Sequence, residues 1–380
     1  MDFEFTEEEK MFQAMVHNFV AQEIEPVAAQ WEDEENFPYE VWKGMADLGI
    51  CGVALPREYG GSGGGEIFLC IATEEIAHGS GGLATAYLVS CGVAMDSIVR
   101  YGTEEQKRIH IPRCNNGEIA YFAATEAAGG SDVALMQTKY RREGAYYILN
   151  GTKLFITNGE ESGFGTVYAT KDTSLGYRGI SCFIVEKGTA GLSIGKKERK
   201  TGQHCSSTTE LIFDDCRIPI TNRVGEEGKG FRMALEAIDA SRVSIGAQAL
   251  GIAEAAYDAA VAYSKERHAF GKSLAQMQAI QWMIADMATE IDVARLLIYK
   301  AAWLIDQGKP FLKEAAMAKL FATEASHRVC HRAVQIFGGY GYTRDFPVER
   351  YARDQRVTEI YEGTSEMQRW AIARQTLDLK

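Results

Sequence analysis

At 380 residues the chain exceeds the ~250–300 residues over which one hydrophobic core keeps growing, so two or three structural units are expected. Hydrophobic residues make up 46% and charged residues 24% of it, a soluble globular balance with no sign of a disordered tail or tether. The formal net charge of -12 excludes the basic surface that a nucleic-acid binder needs, so a polyanionic ligand must be met by a local basic site.

In chain order, the first unit, residues 1–118, reads as helical. Thr6-Glu7-Glu8-Glu9 is a capping box, followed by Met11, Phe12, Met15, Val16 and Phe19 at helical spacing. Pro38 opens and Gly49 closes a short helix, and Thr103-Glu104-Glu105-Gln106 is a second capping box. The glycine run from Gly60 to Gly65 lacks the preceding strand and the Lys-Ser/Thr ending of a phosphate loop, so it is expected to be a connection. No uninterrupted apolar stretch approaches the ~20 residues of a membrane-spanning helix. Eight scattered cysteines (Cys51, Cys70, Cys91, Cys114, Cys182, Cys205, Cys216, Cys330), with no Cys-x-x-Cys pair and no visible signal peptide, predict a cytoplasmic location, or the mitochondrial matrix if a transit peptide has been removed.

The period changes over residues 119–226. Short β-rich runs flank Asn150-Gly151, which predicts a hairpin with strands over Ala145–Leu149 and Lys153–Thr157, and further strands are expected at Ile180–Val185 and Glu210–Phe213. No long helical pattern separates them, so the unit is expected to be an antiparallel β domain. Over residues 227–380 the helical period returns through Ala234–Ser264, Leu274–Asp306 and Lys313–Gly338. These lengths predict a four-helix bundle with faces broad enough for subunit contacts. The fold class is therefore α+β and multidomain.

Two segments invite chemistry. In Ile360-Tyr361-Glu362-Gly363-Thr364-Ser365-Glu366 a carboxylate beside a glycine can approach a substrate closely, and desolvation would raise its proton affinity toward that of a general base; the alternative is a loop glutamate in a salt bridge, and Ser365 is expected to cap the following helix. Thr125 to Asp132 offers hydroxyls and backbone amides to a ring edge or a diphosphate, or is a plain tight turn. Two Glu-x-x-His pairs, Glu75/His78 and Glu324/His327, have the spacing of a di-iron bundle, but the β segment would interrupt it. His327, Cys330 and His331 share a helix face without a partner pair, so no metal is expected.

Taken together, Lys153-Leu154-Phe155-Ile156-Thr157-Asn158-Gly159, Arg267-His268-Ala269-Phe270-Gly271-Lys272, Gln335 to Tyr342 and Ile360 to Ser365 closely resemble the acyl-CoA dehydrogenase family over essentially the whole chain. The resemblance implies FAD between the β domain and the bundle, and a homotetramer built from paired dimers. It implies that Phe122, Thr125, Gly130, Ser131, Phe155 and Thr157 line the flavin ring, with Thr364 and Glu366 near the cofactor. Arg267, Phe270, Gln335, Gly338 and Gly339 would meet its diphosphate or adenine side across the dimer. Glu362 matches the catalytic base of the short- and medium-chain branch. The base position used by other relatives is here Ser241, which cannot serve as a carboxylate. Ser131, Asp239, Arg242, Tyr361 and Gly363 would contact the acyl-CoA substrate.

The implied reaction is removal of the α-proton by Glu362 and of the β-hydride by flavin N5, giving a 2-enoyl-CoA, with an electron-transferring flavoprotein as acceptor. Lys309 to Lys319 looks most like short-chain members, which favours a short, branched or cyclic acyl group. Some relatives run the chemistry in reverse as enoyl-CoA reductases; a non-catalytic acyl-CoA or flavin-binding scaffold would have lost Glu362. Three residues depart from the family pattern: Ala127 for a common proline, His204 for a frequent arginine, and Asp96, expected to be exposed or capping.

Overall fold

The computed structural model describes residues 4–379, in which helices, strands and helices follow one another. The first unit holds α1 (Glu7–Phe19), α2 (Ala28–Glu34), α3 (Tyr39–Asp47), α4 (Gly65–Gly79), α5 (Gly81–Tyr87), α6 (Ala94–Tyr101) and α7 (Glu104–Asn115). Both capping boxes form as expected. Thr6 N–H donates to Glu9 at 2.6 Å while Glu9 N–H donates to Thr6 Oγ1 at 3.3 Å, and Thr103 and Gln106 do the same for α7. The glycine run is a loop. At its end Gly65 adopts φ +78 and leaves room for Asp306, whose carboxylate accepts the Glu66 and Ile67 amides at 2.7 and 3.0 Å and so caps α4 from the far end of the chain.

Residues Gly81–Tyr101 run as one continuous helix through a π-helical turn, Leu88–Val93. In length and mean hydropathy (1.5) this helix would pass for a membrane span, which the sequence pattern does not suggest, but 83% of its most apolar window is buried inside the protein. It is a core helix. Its π turn points Ser90 Oγ at the Ala120 amide (2.9 Å), joining the first unit to the second.

The second unit is one eight-stranded sheet of order β6-β7-β3-β2-β4-β5-β8, with β1 (Ala120–Ala123) beside β4. The others are β2 (Lys139–Glu143), β3 (Tyr146–Thr157), β4 (Phe164–Thr170), β5 (Ile180–Glu186), β6 (Leu192–Lys197), β7 (Thr208–Pro219) and β8 (Arg223–Val224). The ladders are antiparallel except where β1 runs parallel to β4 and Lys139 of β2 meets Thr170. The hairpin expected at Asn150-Gly151 is absent: β3 passes straight through, and the real turn is at Gly144 (φ +59), between β2 and β3. Asn150-Gly151 is instead a bulge, where the register with β7 slips between Leu149 and Gly151. Asn150 is held by Asp215, accepting its amide at 2.9 Å and donating to its carboxylate at 3.0 Å. Pairing with two neighbouring strands overrides the local turn signal.

The third unit holds α8 (Gly230–Glu266), a two-stranded tip of β9 (His268–Ala269) and β10 (Lys272–Ser273), then α9 (Gln278–Asp306), α10 (Leu312–Phe337), α11 (Val348–Gln355) and α12 (Ser365–Thr376). α8, α9 and α10 pack as long neighbours, with α12 on α10 and α4 of the first unit against α8. The sheet has its own core, rich in rings (Tyr121, Tyr140, Tyr147, Phe183). A small apolar cluster draws on all three units: Leu88, Val89 and Val93 from the π turn, Ala237 and Ile245 from α8, with Phe122 of β1 and Tyr361 packed against it.

Candidate active site

Glu362 sits at that junction. After α11 the chain makes a 3-10 turn, Arg356–Glu359, and reaches α12 through Ile360–Thr364, with Glu362 at φ +50 and Gly363 at φ +93. A left-handed glutamate costs roughly 1–2 kcal/mol, so the loop needs external support. Two wholly buried side chains supply it: Lys319 Nζ donates to the Gly363 carbonyl at 2.8 Å, and Gln368 Nε2 donates to the same oxygen at 2.8 Å and to the Glu362 carbonyl at 3.2 Å. Thr364, not Ser365, caps α12, its Oγ1 accepting the Met367 amide, while the Ser365 hydroxyl is buried without a partner. Thr364 turns away from the strained loop and has the extended backbone that a cap requires.

Among the described residues the Glu362 carboxylate has no salt-bridge partner. Ser241 Oγ donates to its Oε2 at 2.9 Å, and burial pushes its proton affinity above the usual carboxylate range against the opposing pull of that hydrogen bond and of the Arg242 and Lys319 charges. Lys319 is itself pushed down to about 8 by burial, with the Glu362 charge opposing. Arg242 pairs with Asp239 at 2.6 Å. Tyr361 faces the other way, its hydroxyl donating to Gln248 Oε1 and lying 3.4 Å from Thr85, in a buried set that includes Gln203. Burial raises the Tyr361 hydroxyl to about 12.

The sheet presents a second surface. Where β1 ends, the loop through Thr125 and Glu126 is fixed by the wholly buried Lys153, whose Nζ donates to Glu126 at 2.6 Å and to the Ala124 carbonyl at 3.2 Å. Leu154 N–H donates to the Thr125 carbonyl at 2.9 Å. Between Lys153 and Ile156 the register slips again, and Phe155, at φ +57, turns its ring out of the sheet and stays 61% exposed. Thr157 follows on β3, Phe122 is half-buried against Tyr168, and Gly130 and Ser131 lie exposed at the rim beside Ala127. Asn158 (φ +64) ties this edge to the Ala86 and Ala120 carbonyls.

Arg267, Gly338 and Gly339 gather elsewhere, with Gln335 in the last turn of α10 that leads to them. A cavity of about 470 Å³ is lined by Arg267, Tyr263, Phe337, Gly338, Gly339 and Tyr340, with Phe270 fully exposed nearby on the β9–β10 tip. Lys319 and Gln335 are both on α10, sixteen positions apart, so about 24 Å separates the support of Glu362 from the last turn before this cradle.

One further expectation changes. Asp96 is neither exposed nor a cap: it is half-buried on α6, 2.7 Å from Arg100 Nε, its other oxygen unpartnered. His204 is held between the Glu32 and Lys200 carbonyls, at 3.3 and 2.9 Å. The Glu-x-x-His pairs never converge. Glu75 binds Gln13 and His17, His78 lies between Glu25 and Asp258, and Glu324 pairs with Arg369; among the described residues no group of His, Cys, Asp and Glu is placed to hold a metal. Sequence reasoning missed Lys153, Lys319 and Gln368. For Lys319 a signal exists: it is a lone cation among Ala315, Ala316, Ala318 and Ala322 on a helix.

Residues 6–118, 121–216 and 228–377 match, respectively, the N-terminal, middle and C-terminal domains of acyl-CoA dehydrogenase. This chain belongs to the acyl-CoA dehydrogenase family. The NADH-dependent acryloyl-CoA reductase of Anaerotignum propionicum is 47% identical over 381 residues, covering 99% of this chain and 96% of that protein. The short-chain specific acyl-CoA dehydrogenase of Clostridium acetobutylicum is 45% identical over 374 residues, covering 98% and 99%. The solved butyryl-CoA dehydrogenase from Megasphaera elsdenii superposes with a TM-score of 0.97 at 40% identity, covering 99% of this chain and 100% of that one. The chain is thus an oxidoreductase of a family that is FAD-dependent. Its residues fit that cofactor: a strained, exposed Phe155 beside a loop clamped by a buried ion pair suits a flat ring, and at Gly338 and Gly339 an added Cβ would meet nothing within 4 Å, which leaves the backbone open to a ligand.

Proposed function

We propose that this protein catalyses FAD-dependent α,β-dehydrogenation of a short-chain, branched or cyclic acyl-CoA, with Glu362 as the base. The observation that carries the reading is the Glu362 carboxylate itself, presented by a strained loop at the meeting point of all three units, raised in proton affinity by burial and, among the described residues, bonded only by a serine hydroxyl. Phe122, Thr125, Gly130, Ser131, Phe155 and Thr157 hold the ring, with Thr364 and Glu366 close by. Asp239, Arg242, Ser131, Tyr361 and Gly363 receive the acyl-CoA. Bound in this groove, FAD supplies the acceptor for the hydride equivalent that leaves the β-carbon. The Glu362 amide, for which the described residues give no backbone acceptor, donates to the thioester oxygen and stabilises the charge that develops as the α-proton is removed.

We further propose that an electron-transferring flavoprotein takes the electrons and that the protein acts as a homotetramer in the cytoplasm, where its eight buried, unpaired cysteines stay reduced. The test is spectroscopic. Purified protein is yellow, and anaerobic butyryl-CoA or a branched or cyclic counterpart bleaches the flavin band; Glu362→Gln binds the cofactor but is not bleached, its rate falling by at least ~10³ as expected for loss of a general base. A colourless protein that FAD does not restore ends the proposal. The 47% identity to a reductase favours a second reading, enoyl-CoA reduction by the same groups. Reoxidation of the reduced protein by a short enoyl-CoA, faster than bleaching by the saturated thioester, would assign that direction.

A further inference from the structure

The Ser241 hydroxyl has one proton to give and two acceptors in reach. Its Oγ lies 2.9 Å from Glu362 Oε2 and 3.0 Å from the carbonyl oxygen of Ile238, one turn back along α8. A serine O–H donates to one of them at a time. The charge on Glu362 decides which. A carboxylate oxygen makes a charge-assisted bond roughly twice as strong as a neutral one, so the ionised base holds the hydroxyl. A neutral carboxyl loses that advantage, and the Ile238 carbonyl then competes on equal terms. Ser241 is 5% exposed, so bulk water has little part in either state. The described residues give the other carboxylate oxygen, Oε1, no hydrogen-bond donor.

We infer that Ser241 is a positioning residue for the base: it ties down Oε2 of the ionised carboxylate, leaves Oε1 as the atom that takes the α-proton, and turns to Ile238 once Glu362 is protonated. The proton balance closes within the site. The substrate C–H bond breaks, an O–H bond forms at Oε1, and Ser241 keeps its own proton and changes only its acceptor. The inference rests on the proposed role of Glu362 and extends it to the residue that orients it. Charged groups facing Glu362 come from α8 (Arg242, paired with Asp239) and from α10 (Lys319), and neither is altered by a change at Ser241. Since the hydroxyl favours the ionised form, it works against desolvation, and its removal makes the base harder to ionise.

The experiment is the pH profile of kcat/KM for the FAD-loaded protein with butyryl-CoA and an artificial electron acceptor, a profile that reports ionisation in the free enzyme. Ser241→Ala moves the acid limb upward by about half to one pH unit, the scale of the difference between a hydrogen bond to a charged group and one to a neutral carbonyl. Rates on the acid limb then fall several-fold further than any change on the plateau. Ser241→Gly gives the same shift as a second hydroxyl-free variant, and Ser241→Thr, which keeps the hydroxyl, returns the limb to its wild-type position. An unmoved limb in both hydroxyl-free variants, whatever their kcat, overturns the inference. Turnover retained by Glu362→Gln overturns instead the assignment of the base, so the two failures are told apart.

Discussion

Lys153 and Glu126 form a buried ion pair that touches neither substrate nor base, yet the loop that carries Thr125 hangs on it. Burial pushes the Lys153 ammonium down to about 8, with Glu126 opposing. For Glu126 burial acts upward, but the Lys153 charge and the Gln137 and Thr138 donors outweigh it and hold the carboxyl below its usual range. The partners are unequally supported. Without Lys153, Glu126 keeps two backbone amides at 2.6 and 3.0 Å; without the Glu126 charge, Lys153 keeps only the Ala124 carbonyl. Breaking such a pair costs about 3–5 kcal/mol when a charge is left stranded. Glu126→Gln is therefore expected to lower the thermal midpoint more than Lys153→Met, and to weaken FAD retention as the loop loosens. Calorimetry of both variants, with flavin content measured after gel filtration, checks the order. The sign with pH follows from the depressed carboxyl: stability from Glu126 is present above the ordinary glutamate range and is lost as pH falls through the lower folded value.

Strand β3 shows what a sequence period can and cannot convey. Its two halves are legible as strands, and Asn150-Gly151 is visible as a break in them, but a turn and a bulge use the same residues. What separates them is the pairing of β7 along the side of β3 opposite its neighbour β2, information that for Asn150 lies 65 residues away, at Asp215. The structure makes the distinction measurable. Gly144, at the real turn, has φ +59 and open space where a Cβ would go; Gly151 has φ +145, and a Cβ there would lie 2.6 Å from the Thr138 Cα. Gly144→Ala should cost only the ~1–2 kcal/mol of a left-handed alanine. Gly151→Ala adds a backbone clash and should cost distinctly more, at least about 3 kcal/mol. Equal losses of thermal stability in the two variants would return the turn to Asn150-Gly151. The same limit explains the site. Glu362 was legible because its neighbours carry a motif, whereas Lys153 and Lys319 are single lysines whose burial depends on elements distant in sequence.

At the scale of the molecule, the separation along α10 is the fact that matters. Lys319, which supports Glu362, and Gln335, in the last turn of α10, lie about 24 Å apart along that helix; the cradle of Arg267, Gly338 and Gly339 opens just past its end, and Phe270 stands 97% exposed on the β9–β10 tip. A large ring in water with no packing role, three positions after Arg267, is unfavourable for an isolated chain and fits a face that a second copy covers. The proposed assembly gives the cradle a use: it would grip the far end of a cofactor whose ring lies in a neighbouring subunit. Phe270→Ala tests this without touching the groove at Phe155 or the base. If the cradle serves a neighbour, the variant keeps its fold and its Glu362 loop, yet releases FAD more readily, and its flavin content falls further on dilution as subunits part. Sedimentation alongside the flavin-to-protein absorbance ratio follows both quantities together. A variant that keeps wild-type flavin content at every concentration would show that each chain holds its cofactor alone, and the separation of the two sites would then need another purpose.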